Sequence, residues 1–185
     1  MDPDTVVLFF SLLAVVAQLA VVLAVVLAVG GRLSPWLARA RSVVASEVGP
    51  QALGLAAAVA VVASAGSLYL SEVAGYPPCR LCWHQRYAMY PLVPILAIAA
   101  FVRSRWVRPT GIVLATLGAT ISAWHVAVQR NPALDGGACD VTNPCSIIWV
   151  ERFGYLTIPA MALSGFVLVA TLLVIARPAL AQESP

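Results

Sequence analysis

The chain of 185 residues is 61% hydrophobic and 10% charged, with a mean hydropathy of +0.91 and a formal net charge of +3. Soluble domains carry about 25% charged and about 45–50% apolar residues, so the composition excludes a soluble globular domain and a disordered chain. The 11 cationic residues are all arginine and too scattered to form a nucleic-acid-binding face.

Long apolar runs predict an all-α integral membrane protein whose chemistry sits within the bilayer or in short loops against it. Five runs are long enough to cross about 30 Å of hydrocarbon: 6–29, 53–70, 87–102, 111–128 and 157–176. The first is broken only by Ser11 and Gln18, and is too long for the core of a signal peptide. The acidic start Met1-Asp2-Pro3-Asp4 also argues for a retained helix. The second run is Ala/Val-rich. The third contains Pro91 and Pro94, which remove backbone donors and predict a kink. None shows the polar stripe of a soluble-bundle helix.

Charge sets the expected orientation. Residues 30–50, 103–110 and the tail after Ala176 hold seven arginines against Glu47 and Glu183, whereas the opposite side holds four arginines against six acidic residues. The arginine-rich side is expected in the cytoplasm. The N-terminus and both cysteine pairs then lie outside, where disulfides persist, and the C-terminus lies inside.

The four cysteines carry the chemistry. Cys79 and Cys82 form a C-x-x-C at the outer mouth of the third run, after Pro77-Pro78, where a helix is expected to start. A thiol there feels the positive end of the helix dipole and ionises more readily. Arg86, four residues beyond Cys82, shares its helical face with Met89 and Tyr90, which places a thiolate over a cation at headgroup depth. Cys139 and Cys145 lie in the turn-rich loop Asp135-Gly136-Gly137-Ala138-Cys139-Asp140-Val141-Thr142-Asn143-Pro144-Cys145. The following residues 146–153 are expected to lie in the interface, with Trp149 and Phe153 as anchors. Structural staples are one alternative, but closing rings this small gains only about 2 kcal/mol each. A four-thiolate zinc site is another, although C-x₅-C is wide for it. Redox exchange fits best, and four cysteines permit three pairings.

Together Cys79-Arg80-Leu81-Cys82-Trp83-His84-Gln85-Arg86, the following Met89-Tyr90-Pro91, the later Cys139 and Cys145, and Phe153-Gly154-Tyr155-Leu156-Thr157-Ile158-Pro159 resemble the DsbB/BdbC family of disulfide-bond formation proteins, in its short-loop BdbC branch. Vitamin K epoxide reductases also combine a four-helix bundle with two cysteine pairs. There the loop pair comes first, and here the C-x-x-C does, so such an enzyme is retained only as an alternative, beside a non-enzymatic scaffold held by disulfides or zinc.

The resemblance implies a four-helix redox bundle over 51–176. It leaves 1–50 as an additional N-terminal transmembrane helix with a cytoplasmic loop, and 177–185 as a cytoplasmic tail. It implies a thiol:quinone oxidoreductase of the bacterial cytoplasmic membrane that reoxidises an extracytoplasmic DsbA-like thioredoxin-fold partner. Cys139 would take the mixed disulfide, Cys145 would exchange with Cys79, and Cys82 would pass electrons to ubiquinone or menaquinone. Arg86 and His125 would lie beside the quinone, with Gln85 and His84 as further contacts. No resident metal is implied. Trp83 and Trp124 are expected as interfacial belt residues. No chemical role follows for the N-terminal helix.

Overall fold

The structure, a computed structural model, describes residues 3–99 and 106–176. The expected cytoplasmic tail 177–185, the last part of the expected third run, and Arg103 and Arg105 lie outside the described residues. Six α-helices follow one another: α1 (Pro3–Gly30), α2 (Pro35–Val48), α3 (Ala52–Glu72), α4 (Arg80–Ala99), α5 (Val107–Arg130) and α6 (Ile158–Ile175). A single 3₁₀ turn, Pro132–Asp135, follows α5. Two two-residue strands, β1 (Glu151–Arg152) and β2 (Leu156–Thr157), pair antiparallel just before α6.

Among the described residues four helices, α1, α3, α5 and α6, are long and apolar enough to cross a membrane. The expected third span, α4, is not one of them. It begins at Arg80, seven residues before the apolar run, and its first two turns carry Arg80, His84, Gln85 and Arg86. Pro77 and Pro78 explain the early start: they hold the preceding chain extended, and the helix begins directly after Cys79. The helix continues through Pro91 and Pro94.

Helices α3, α4, α5 and α6 form a four-membered bundle in which neighbours along the chain pack together and α6 closes onto α3. Leu92, Leu96, Ala115, Phe166, Val169 and Leu173 are fully buried at its centre. The Phe166 ring packs so closely on α5 that a Cβ on Gly118 would collide with it. Small residues at membrane helix contacts admit this close approach. At the other end, Arg108 at the start of α5 donates from Nε to the carbonyl of Leu173 (2.7 Å) and from Nη2 to that of Val174 (2.8 Å). It thereby satisfies two carbonyls that the end of α6 leaves open.

Helix α1 packs on the outside of α6, and α2 folds back on α1. Gln18, in the middle of α1, donates to Ser164 Oγ on α6 (2.9 Å) and accepts from the Tyr155 hydroxyl (2.8 Å). Asp4 pairs with Arg152 at 2.6 Å. Sequence reasoning gave residues 30–50 as a loop and missed α2. Its Pro35 at the first turn was a start signal, but the short, arginine-rich segment has no apolar run to betray it, and none of its residues is fully buried. Residues 146–153 lead into and include β1 of the hairpin, with Trp149 and Phe153 exposed.

Gly118→Ala is expected to lower thermal stability in detergent, by roughly 1–3 kcal/mol, because the added methyl overpacks Phe166. Gly54→Ala in α3, where a Cβ would meet nothing within 4 Å, is expected to match or exceed the wild-type Tm, since alanine is the better helix former.

Candidate functional site

The site is built at the end of the bundle where α4 begins and α5 ends. Cys79 is the residue just before α4, and the backbone N–H of Cys82 points at its sulfur (3.4 Å). This is the geometry of a helix N-cap, with a sulfur in place of the usual oxygen. The two sulfurs of the C-x-x-C are free thiols 2.9 Å apart. The Cys82 thiol hydrogen bond, supported by His125 and the Cys82 N–H, outweighs the effect of burial and holds the Cys79 thiol down at about 4. The N–H at the helix start points at Cys79 and is the smallest of these contributions.

Cys139 and Cys145 form a disulfide. The turn between them is held by Asp140, which accepts from both the N–H (2.9 Å) and the hydroxyl (2.7 Å) of Thr142. Three contacts seat this loop on the bundle. Asn143 Nδ2 donates to the carbonyl of Pro78, next to the C-x-x-C (3.2 Å). Gln129 of α5 donates to the carbonyl of Ile147 (3.2 Å) and accepts from Thr157 Oγ1 (2.7 Å). As a result Cys79, Cys145 and Val128 form a buried cluster, with Leu81, Cys82 and Cys139 packed against it.

His125 of α5 joins the two pairs. It is 2% exposed. Its Nε2 donates to the carbonyl of Cys145 at 3.1 Å and lies 3.6 Å from the Cys79 sulfur. Its Nδ1 accepts from the Gln85 side-chain amide at 3.2 Å. These partners suit a proton on Nε2 and an accepting Nδ1.

Arg86 is buried, which excludes a snorkelling side chain. It donates from Nε to Ser67 Oγ (3.0 Å) and from Nη2 to the Ser67 carbonyl (2.9 Å) and Ser71 Oγ (2.8 Å), and its guanidinium lies 5.1 Å from the Trp83 ring centre. Sequence reasoning singled out Arg86 but not Ser67 and Ser71. Their spacing of four on α3 puts both on one face and was the available signal. His84 is placed elsewhere: it is exposed, and its Nδ1 donates to the carbonyl of Arg80 (2.8 Å). Trp83 and Trp124 are both exposed, as belt residues would be.

A cavity of 410 Å³ starts at these groups, within the about 300–1,000 Å³ of small-molecule sites. Cys79, Cys82, Gln85, Arg86 and His125 line it at one end together with loop residues such as Cys145 and Trp149, and mostly apolar side chains of α1, α3, α4 and α6 line the rest. His84 is not among its walls. Tyr90, one turn beyond Arg86, lines it too, and its buried hydroxyl has no hydrogen-bond partner. For a metal, the ligand atoms of Cys79, Cys82 and His125 lie within 4.8 Å of one another. The four cysteine sulfurs do not form one thiolate set, since two are joined in the disulfide.

Chemically, the arrangement presents a disulfide and a vicinal dithiol around one imidazole, with one sulfur held ready as a thiolate and an apolar chamber beside it. Comparison with known proteins agrees. "Disulfide bond formation protein C" of Bacillus subtilis is 44% identical over 112 residues, covering 60% of this chain and 81% of that protein. "Probable disulfide formation protein" of Oceanobacillus iheyensis is 41% identical over 115 residues, covering 61% and 79%. "Probable disulfide formation protein C 2" of Bacillus anthracis is 35% identical over 123 residues, covering 66% and 88%. No solved structure matches. The family model for DsbB, disulfide bond formation protein, matches residues 50–176, well over half of the chain and all of the four-helix bundle, so this chain belongs to the DsbB family of disulfide bond formation proteins.

Proposed function

We propose that this protein is a membrane thiol:quinone oxidoreductase that reoxidises an extracytoplasmic DsbA-like thioredoxin-fold partner, with Cys79, Cys82, Cys139 and Cys145 as its redox groups. The observation that carries the reading is the meeting of both cysteine pairs in one cluster around His125. Two structural staples would have no reason to share a buried imidazole, and a lone vicinal dithiol would have no reason to be roofed by a second disulfide.

The protein would sit in a bacterial cytoplasmic membrane with α4 as a fifth span. Its place between α3 and α5 supports this, as does its length of 20 residues, about 30 Å of helix. The arginine distribution supports an external N-terminus, external cysteine pairs and a cytoplasmic C-terminus.

Exchange then runs inward. A thiolate of the reduced partner attacks Cys139, the more exposed cysteine of its pair, and the Cys139–Cys145 bond breaks to release the Cys145 thiolate. That thiolate attacks Cys79 of an oxidised C-x-x-C, breaking the Cys79–Cys82 bond and releasing Cys82. The partner's second thiol resolves its mixed disulfide and frees Cys139. Cys139 attacks Cys145, restoring the loop disulfide and releasing Cys79. Two electrons and two protons have left the partner, and the C-x-x-C has become a dithiol. The structure has the bonding pattern of this end point, with a closed loop pair and free Cys79 and Cys82. His125 keeps its Nε2 proton directed at the Cys145 carbonyl and the Cys79 sulfur, which favours the thiolate that must leave.

The residues present fit a quinone: the cavity begins at the thiols, is otherwise mostly apolar, and carries the unpartnered Tyr90 hydroxyl as a free donor. When bound, the quinone supplies the two-electron, two-proton acceptor for the Cys79–Cys82 dithiol. Cys82, Gln85, Arg86, Tyr90 and His125 would surround its ring. The exposed His84 has no part in this site.

Purified protein given a reduced DsbA-like partner is expected to reduce quinone, read as the loss of quinone absorbance. Cys82→Ser and Cys139→Ser should each drop turnover to background with the fold intact. Wild-type turnover by either variant would remove that pair from the relay. Arg86→Ala should raise the KM for quinone roughly tenfold, the scale of one lost charge-assisted hydrogen bond. In the reduced protein, thiolate absorbance near 240 nm should persist as pH falls through 6 and disappear only near the value of about 4 held by Cys79. A lowered thiol ionisation leaves the anion present above it and lost below. Cys79→Ser should abolish this low-pH signal.

A further inference from the structure

Helix α1 lies outside the region shared with the family, yet it forms one side of the cavity that begins at Cys79 and Cys82. Phe10, Leu13, Ala14, Ala17 and Ala20 line that cavity opposite α3. We infer that α1 is a built-in outer wall of the acceptor site, and that it confines the isoprenoid tail of the quinone against α3 and α6. This rests on the quinone reading above and adds to it a determinant of which quinones bind.

Three observations carry it. The first is that α1 is fixed in place. Gln18 is bonded on both sides, to Ser164 and to Tyr155, Asp4 is paired with Arg152, and the fully buried Ser11 reaches Met161 Sδ at 3.9 Å. Polar side chains within an apolar span are costly unless they are paired inside the protein, so these contacts lock the helix in one position on α6.

The second is how α1 meets α3. Near the thiols the Phe10 ring closes on Gly66, where a Cβ would lie 2.7 Å from it. Gly66 adjoins Ser67, which holds Arg86. Beyond this contact α1 lines the space with the small side chains of Ala14, Ala17 and Ala20 beside Leu13 and Val16, and space remains between it and α3. Faces of small residues ordinarily let membrane helices close together. Here α1 is held on α6 instead, and an apolar chamber stays open for about 15 Å, the helical rise from Phe10 to Ala20.

The third is the chemistry of the two ends. The thiol end is polar, and there Arg86 is held in place by Nε and Nη2 contacts to Ser67 and Ser71 of α3. A neutral ring with carbonyl acceptors and an apolar tail matches both ends of the chamber.

The test uses the full-length protein in detergent and two probes, a benzoquinone bearing a decyl tail and the same ring without a tail. Binding is read by quenching of tryptophan fluorescence, and turnover is read beside it. Ala20→Phe and, independently, Leu13→Trp fill the chamber from α1. Each is expected to weaken binding of the tailed quinone about tenfold while leaving the tail-less quinone unchanged. Leu12→Phe, which adds bulk to the exposed outer side of α1, should change neither. Equal weakening of both probes, or no change with either filling variant, would overturn the wall while leaving the quinone reading intact. Loss of a co-purified phospholipid in Ala20→Phe, with tailed-quinone binding unchanged, would assign the chamber to lipid and also overturn it. Wild-type protein that binds neither probe would instead remove the quinone reading, and the wall with it.

Discussion

His125 depends on polar partners from both a helix and a loop, and the arrangement of the cysteines depends on His125 in turn. An imidazole buried among helices must have both nitrogens satisfied. Gln85 of α4 supplies a donor to one nitrogen, and the carbonyl of Cys145 accepts from the other. The second partner belongs to a loop rather than a helix, so the ring ties the loop to the bundle where the two cysteine pairs meet. Gln129 and Asn143 then hold the loop on either side of it. The same logic governs Arg86, whose charge is accommodated by two serines and a carbonyl of α3. Within a bilayer the protein must provide these partners itself, and it gathers them at one end. The remaining bundle is left to apolar packing such as Phe166 on Gly118.

This division explains what the sequence made legible. Apolar runs located α1, α3, α5 and α6 to within a few residues, because nothing but length and hydropathy is needed to specify a lipid-facing helix. The C-x-x-C, Arg86 and His125 were visible as rare reactive or charged groups in an apolar chain, and they do converge. Two things were hidden. Helix α2 has no fully buried residue and no apolar run, so hydropathy passed over it. The partners of the site residues were hidden as well: serine, glutamine and asparagine in such a chain carry no signal until their neighbours are known. His84 shows the converse. Adjacent in sequence to Gln85, it turns to the surface while Gln85 turns inward, since successive helix positions diverge by about 100°.

The Cys79 N-cap shows how local structure sets redox character. A sulfur at the start of a helix receives an N–H that would otherwise be unpaired. Pro77 and Pro78 ensure that the helix cannot start earlier. Two prolines and a helix start thus add to the Cys82 thiol hydrogen bond that favours charge on Cys79, and both sulfurs lie beside the chamber.

Gln18 has a consequence for biogenesis. Its two partners, Tyr155 and Ser164, lie well over a hundred residues later in the chain. Of the helices described, α1 emerges first from the ribosome and α6 last. Throughout synthesis the amide of Gln18 therefore lies in the bilayer without its final partners. Only when α6 arrives can the first helix settle, and the chamber that it walls cannot exist before then. Arrival of α6 and closure of the chamber are thus one event, and a product truncated before α6 would carry its C-x-x-C without that chamber beside it.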